Sequence, residues 1–185
     1  MDDEKLASAA NAAGSNDAPL STEDQALLEA YSHTFIGSYA HSLDSKGRLV
    51  IPQAFREDLG STFYICPSMD LTSISLYTNI AWARTRRQYE RLGEISGKFK
   101  RFLELFDALS YRGQECDGQG RVLLPNRIRQ MILGDEKDVE ITGANDHVRI
   151  ISARANEQMI REMMDHRDEF TSLFDELSKL LMSEH

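Results

Sequence analysis

The stretch "HSLDSKGRLVIPQAFREDLG", residues 41–60, has a close counterpart in "ECDGQGRVLLPNRIRQMILG", residues 115–134. Five residues of the first copy recur 73 positions later, and the pairs are Asp44 and Asp117, Gly47 and Gly120, Arg48 and Arg121, Pro52 and Pro125, and Arg56 and Arg129. Identities in register at charged and turn-forming positions indicate an internal repeat. A unit of this size is too small to bury a core by itself, so the repeat predicts two units that share one barrel.

Each copy has the pattern of strands around a tight turn, followed by a short helix and two more strands. Apolar and polar residues alternate on both sides of "DSKG", and Gly47 can supply the positive φ of a tight turn, so the pattern predicts a β-hairpin. Pro52 favours the first turn of a helix that ends at Gly60. The second copy repeats this order, with a "DGQG" turn and a helix that ends at Gly134.

The segments outside the copies have helical patterns. An apolar stripe at spacings of three, four and seven is formed by Trp82, Tyr89, Leu92, Ile95, Phe99, Phe102 and Phe106. Gly93 and Gly97 lower helix propensity within it and can mark a break between two helices. A heptad-like seam near the C-terminus is formed by Met159, Met163, His166, Phe170, Leu173, Leu177 and Leu180. This seam predicts either self-association or packing of the helix on its own barrel.

The N-terminal segment differs in composition from the rest of the chain. Residues 1–20 are rich in small and polar residues without an apolar period, which predicts a mobile tail. The following "STEDQALLEAY", residues 21–31, opens with a capping signature and predicts a short helix.

The net charge of -9 argues at first against a nucleic-acid-binding protein, since such proteins usually carry a basic surface. The charge is unevenly distributed, however. Residues 1–33 carry seven acids and one base, or -6, and residues 155–185 carry eight acids and three bases, or -5. The middle of the chain, residues 34–154, is left with +2. The acidity therefore lies in the two ends, and the middle is compatible with a nucleic-acid partner.

Several features predict a cytoplasmic protein. Cys66 and Cys116 have no CxxC partner, which favours two free thiols in a reducing compartment over the alternative of a disulfide. The first residues are acidic and lack the basic-then-apolar pattern of a secretory signal. The longest apolar runs are far too short to span a membrane.

The repeated string resembles the D-x-x-G-R-apolar-x-apolar-P signature of the AbrB-like (SpoVT/AbrB) DNA-binding fold, in "DSKGRLVIP" and "DGQGRVLLP". Two copies joined by a helical stretch resemble the MraZ family of bacterial transcriptional regulators, over about residues 35–155. The chain departs from the family pattern by about 33 extra residues before the first motif.

This resemblance implies an α+β, mainly β fold, in which two AbrB-like repeats form a pseudo-two-fold double-split β-barrel. The expected parts are an acidic, disordered extension (1–34), a first DNA-binding repeat (35–85), a helical connector (86–110), a second DNA-binding repeat (111–156) and an amphipathic C-terminal helix (157–185).

The resemblance also implies that the first loop (residues 44–48) and the second loop (residues 117–121) contact DNA. The expected DNA-binding residues are Asp44, Lys46, Arg48, Asp117, Gln119 and Arg121. The arginine fork can donate two hydrogen bonds to guanine O6 and N7 in the major groove. The aspartate can accept backbone N–H groups, and thereby hold the turn or steer the arginine. The alternative is that each Asp and Arg simply pair on the surface.

A row of basic side chains is predicted on one face of the connector, formed by Arg84, Arg87, Arg91, Lys98 and Arg101. Contact with DNA phosphates is one interpretation. A solvated face, or pairing with the acidic ends of the chain, is the other.

No arrangement of residues typical of an enzyme is found. The five histidines lack metal-ligand spacing, and no G-x-S-x-G or Gly-rich phosphate loop is present, so we expect no enzyme activity, cofactor, metal or small-molecule substrate.

The resemblance implies a nucleoid-associated, ring-like homo-oligomer that binds double-stranded DNA at short direct repeats, in the promoter of the division and cell-wall gene cluster. The alternative function is an oligomerising scaffold or antitoxin-like module that uses the same barrel and binds protein through its acidic ends.

Overall fold

The computed structural model describes residues 21–32 and 34–183, which fall into two compact units divided after residue 33. In the first unit, helix α1 (Thr22–Tyr31) is capped by Ser21, whose hydroxyl accepts a hydrogen bond from the backbone N–H of Asp24 at 3.1 Å. The predicted short helix is thus confirmed. The predicted mobile tail, residues 1–20, lies outside the described residues.

The second unit contains the strands and the remaining helices of the described chain. Its strands are β1 (Ser38–Ser42), β2 (Arg48–Val50), β3 (Phe63–Pro67), β4 (Ile74–Thr78), β5 (Tyr111–Gln114), β6 (Arg121–Leu123), β7 (Asp138–Gly143) and β8 (His147–Ser152). Its helices are α2 (Gln53–Leu59), α3 (Asn79–Ile95), α4 (Gly97–Ala108), α5 (Asn126–Ile132), α6 (Ala153–Asp165) and α7 (Arg167–Ser183).

The strands form two antiparallel sheets. The larger sheet has the order β1-β7-β8-β4-β3-β5, and the smaller one is a two-stranded ribbon of β2 and β6. The fold is therefore a mixture of helices and mostly antiparallel sheet. The predicted strands β3 and β4 pair with each other, and so do β7 and β8.

The two hairpins predicted around the charged turns are wrong. β1 pairs with β7, and β2 pairs with β6, so each turn joins strands of different sheets. In the second copy, β5 pairs with β3 and β6 again with β2. Alternation correctly indicates strands, but it does not specify the partner, because pairing depends on where distant strands bury their apolar faces.

The core lies between the ribbon, the larger sheet and the short helices. Leu49 and Val122 of the ribbon are buried, as are Phe55 of α2 and Ile128 of α5. The ring of Phe55 makes edge-to-face contacts with Phe35 and Tyr39, at centroid distances of 5.8 and 5.3 Å. This packing fixes α2 and α5 beside the ribbon, which positions the charged loops.

Both long helical segments are interrupted. Ser96 separates α3 from α4, and its hydroxyl accepts a hydrogen bond from the N–H of Phe99 at 3.3 Å, which confirms the break expected near Gly97. The C-terminal segment, expected as one helix, is divided into α6 and α7 at His166. Met163, Phe170 and Leu177 are each about half exposed, so the seam beyond the start of α6 does not pack on the sheet.

The state of the cysteines and the apolar character of the helices bear on the predicted compartment. Both cysteines are free, with Cys66 buried and Cys116 half-buried. Within residues 21–32 and 34–183, no helix combines the length and the apolar character needed to cross a membrane.

Candidate nucleic-acid interface

The first loop is organised by the carboxylate of Asp44. Its Oδ1 accepts hydrogen bonds from the backbone N–H groups of Lys46 and Arg48, both at 2.9 Å. Its Oδ2 accepts a hydrogen bond from Nε of Arg48 at 2.7 Å. Gly47 has a φ of 78° and donates its N–H to the Asp44 carbonyl at 2.9 Å. The aspartate therefore both holds the turn and orients the arginine.

The second loop has the same arrangement around Asp117. Oδ1 accepts from the N–H groups of Gln119 and Arg121, both at 3.0 Å. Oδ2 accepts from Nε and Nη2 of Arg121, at 2.9 and 2.7 Å. Gly120 has a φ of 75° and donates its N–H to the Asp117 carbonyl at 2.8 Å. The surface ion pair that the sequence left as an alternative is thus present, but as part of a turn that presents the arginine.

Hydrogen bonds to the charged carboxylates lower their pKa values. The backbone N–H of Arg48, with its side chain and the N–H of Lys46, holds the pKa of Asp44 at about 2. The side chain and backbone N–H of Arg121, with the N–H of Gln119, hold the pKa of Asp117 at about 2. Both loops therefore keep an ionised aspartate throughout the physiological pH range.

We expect the two loops to lose this support only in strong acid. The usual pKa of aspartate is about 4, so the lowered values stabilise the folded loops above about pH 4. That contribution is lost as the pH falls through about 2. A ¹³C NMR titration of the carboxyl carbons should give midpoints near 2 for Asp44 and Asp117.

A single-site variant supplies the control for this titration. Arg121→Ala should raise the midpoint of Asp117 and leave that of Asp44 unchanged, because each carboxylate is bonded within its own loop. Midpoints near 4 for both aspartates in the parent protein would contradict the expected support.

The ribbon brings the two loops side by side. Beyond its regular pairs, the N–H of Leu124 donates to the carbonyl of Gly47 at 3.1 Å. Reciprocally, the N–H of Ile51 donates to the carbonyl of Gly120 at 2.9 Å. Each loop is therefore hydrogen-bonded to the strand end of the other copy, which holds the two loops beside each other.

The outer side of the ribbon carries both arginines. Arg48 lies opposite Leu123, and Val50 lies opposite Arg121. Because alternate residues of a strand share a face, these four form one surface, which we call the ribbon face. Val50 is 40% exposed and Leu123 is 56% exposed. Sequence reasoning missed both, although the period-two rule applied outward from Arg48 would have found them.

The other expected contact residues also lie at this end of the molecule. Lys46 and Gln119 occupy matching positions at the tips of the two loops, and both are exposed. The structure thus brings all six expected residues together on two adjacent loops.

Two further arginines contact the glycines of the loops, and the sequence patterns predicted no function for them. The guanidinium of Arg129 in α5 packs on Gly47, and a Cβ atom added there would lie 2.7 Å from its Cζ. The guanidinium of Arg56 in α2 packs on Gly120 in the same way, with a corresponding distance of 2.5 Å. Each arginine therefore supports the loop of the other copy.

The basic row is exposed, but it does not lie on one helical face, because the break at Ser96 divides it between α3 and α4. Within the described ranges, none of its five members has an ion-pair partner, so pairing with the acidic ends is not observed there. Arg86, outside the row, is the residue that pairs, with Asp107 of α4 at 2.8 Å. Contact of these side chains with DNA phosphates stays a prediction.

The helical connector also carries an apolar groove of about 580 Å³. Its lining includes Tyr89, Leu92, Phe99 and Phe102. In the part of the chain that the structure describes, no cluster of three or more His, Cys, Asp or Glu side chains is arranged to hold a metal ion.

Comparison with known proteins gives a consistent result. The family model described as "MraZ protein, putative antitoxin-like" matches residues 34–102. The transcriptional regulator MraZ of Moorella thermoacetica is 35% identical over 133 residues, which cover 71% of this chain and 90% of that protein. The transcriptional regulator MraZ of Carboxydothermus hydrogenoformans is 36% identical over 120 residues, covering 64% and 80%. That of Desulforamulus reducens is 33% identical over 120 residues, covering 64% and 81%.

Proposed function

The chain belongs to the MraZ family of transcriptional regulators, which is not a family of enzymes, and on that premise we propose that it binds specific promoter DNA through the ribbon face. The observation that carries this proposal is the pair of arginines, Arg48 and Arg121, held by aspartates on two adjacent loops.

The geometry of the ribbon suits the major groove. The groove is about 12 Å wide and admits a two-stranded β-ribbon. The ion pair of Arg48 uses Nε, so within the described residues its terminal Nη groups remain donors for guanine O6 and N7. Val50 and Leu123 provide apolar contact for thymine methyl groups. Lys46 and Gln119 add phosphate or base contacts at the loop tips.

Several copies acting together would offset the acidity of the chain ends. We propose a ring-like homo-oligomer that places several ribbon faces along one duplex, because linked weak sites gain affinity through effective concentration. The exposed apolar side chains of α6 and α7, such as Met163 and Phe170, are suited to self-association. Short direct repeats in the promoter of the division and cell-wall gene cluster are the proposed target, which places the protein in the cytoplasm at the nucleoid.

We also propose that the second unit is a pseudo-two-fold double-split β-barrel. The proposed repeats are residues 35–85 and 111–156, with residues 86–110 as the connector, 157–185 as the C-terminal segment, which is divided between α6 and α7, and 1–34 as the extension. The reciprocal hydrogen bonds of Gly47 and Gly120 support this division. Superposition of the two repeats in an experimental structure would test it.

A gel-shift titration of the whole chain tests the proposed function. The probe is the promoter fragment of the division and cell-wall gene cluster, and the control is the same fragment with its direct repeats scrambled. We expect the intact repeats to bind roughly 10³-fold more tightly than the scrambled fragment. The affinity should also fall steeply between about 50 and about 200 mM salt, because bound phosphates release counterions.

The same samples test self-association. Light scattering should give a mass that is a multiple of 21.0 kDa, and a monomer would contradict the ring. Equal affinity for intact and scrambled repeats would contradict sequence-specific binding.

The second candidate function is a protein-binding or antitoxin-like module. The apolar groove beside Phe99 and Phe102 favours it, since such a groove can receive apolar side chains of a partner protein. It becomes the better account if no salt-dependent, sequence-specific shift is observed.

A further inference from the structure

We propose that Arg56 and Arg129 are positioning residues for the DNA-contacting loops, and that each acts on the loop of the copy to which it does not belong. The inference rests on the proposed function for its consequence in DNA binding. The positioning itself is a property of the free protein.

The first step is the crossed contact. Arg129 belongs to α5, which follows the second loop, but its guanidinium packs on Gly47 of the first loop. Arg56 belongs to α2, which follows the first loop, but packs on Gly120 of the second. The two arginines occupy equivalent positions in the sequence repeat. Because β2 of one copy pairs with β6 of the other, each arginine contacts the loop of the other copy.

The second step is the position of the contacted glycine. Gly47 precedes Arg48 directly and is the left-handed residue of its turn. Its N–H bonds to Asp44 and its carbonyl accepts from Leu124. A flat guanidinium against this residue closes the remaining side of the turn, so it limits the directions in which the next side chain can point. A Cβ atom at position 47 would force the end of the Arg129 side chain to shift.

The third step is the energetic cost of the arrangement. Nε of Arg56 and Nε of Arg129 are buried without a hydrogen-bond partner among the described residues. Leaving a buried donor unsatisfied is destabilising, so an apolar side chain would stabilise the fold at least as well. Arg129 is anchored at its far end, where Nη2 donates to Oδ1 of Asn126 at 2.7 Å. The presence of arginine here is explained by what its rigid, planar group does to the loop.

Charge distribution supports the same assignment. Arg48 and Arg121 are each neutralised by an aspartate of the same loop. Within the described part of the chain, neither Arg56 nor Arg129 has a carboxylate partner. Together with Lys46, these two side chains therefore give the loop region a positive charge, and a positive charge attracts DNA phosphates.

Amide hydrogen exchange of the free protein tests the positioning directly. The variants are Arg129→Lys and Arg56→Lys, which keep the charge and lose the planar group. Arg129→Lys should speed exchange of the Lys46 and Arg48 amides roughly tenfold and leave those of Gln119 and Arg121 unchanged. Arg56→Lys should do the reverse. Equal change in both loops, no change, or change only in the variant's own copy would overturn the proposal.

A double-mutant cycle tests the consequence for DNA. With the promoter fragment as probe, Arg129→Lys and Arg48→Ala should be non-additive, because both act through the first loop. The effects of Arg129→Lys and Arg121→Ala on the Kd for the fragment should multiply, as expected for independent substitutions. Additivity in both pairs overturns the proposal if the parent binds DNA. If the parent does not bind the fragment, the proposed function fails, and the exchange pattern alone decides the positioning role.

Discussion

Replacing Arg48 and Arg121 together with alanine is expected to abolish specific binding to the promoter fragment while leaving the fold intact. A bidentate arginine–guanine contact contributes about 1–3 kcal/mol of discrimination, or roughly 5- to 150-fold in affinity. Loss of two such contacts in every subunit multiplies along the duplex, so the Kd for intact repeats should approach that for scrambled DNA. Gel-shift titration of each single variant and of the double variant measures the effect.

A matched control separates loss of base contact from loss of positive charge. Arg161 in α6 is exposed and also pairs with a carboxylate four residues away, with Nη2 at 3.0 Å from Oε2 of Glu157. Arg161→Ala should bind the repeats nearly as the parent does. If the double variant binds like the parent, or if Arg161→Ala weakens binding equally, the ribbon face is not the base-reading surface.

Ile128→Ala is expected to destabilise the core beside the loops strongly. Ile128 lies in α5 with no exposed surface, inside the cluster that also contains Leu49 and Phe55. Truncating a buried isoleucine leaves a cavity and costs about 2–5 kcal/mol. Since domains are stable by only about 5–15 kcal/mol, this is a large fraction of the free energy of unfolding. The midpoint of urea unfolding, measured with the m-value, reports it.

The chain provides an isoleucine at the opposite extreme of burial. Ile95, the last residue of α3, is 83% exposed, and Ile95→Ala should change the free energy of unfolding by no more than about 0.5 kcal/mol. Similar losses in the two variants would show that Ile128 does not lie in a closely packed core.

Local features of the fold were predictable because they depend on neighbouring residues. The capping by Ser21, the end of α2 at Gly60 and the break before Gly97 all follow from short-range chemistry. The break at His166 was missed, because the apolar spacing continues across it and gives no local signal.

Partners distant in sequence were the features that could not be predicted. The pattern around Gly47 is that of a hairpin, but β1 and β2 pair with strands about a hundred and about seventy residues away. The same limit hid Arg56 and Arg129, which the repeat marked as matching residues without showing what they touch. Val50 and Leu123 were accessible to simple reasoning, once the direction of the ribbon face was set by Arg48.

The register of β2 and β6 sets the separation between Arg48 and Arg121 along the ribbon. Arg48 and Arg121 lie two rungs apart on the ribbon, which is about 7 Å along the strand direction. That length equals about two base-pair steps of DNA, at about 3.4 Å each. Because the backbone pairing of β2 with β6 sets it, insertions in the connector or at either terminus leave it unchanged. On the proposed function, one subunit therefore reads bases at a fixed short separation, and the longer period of an operator must come from the spacing between subunits.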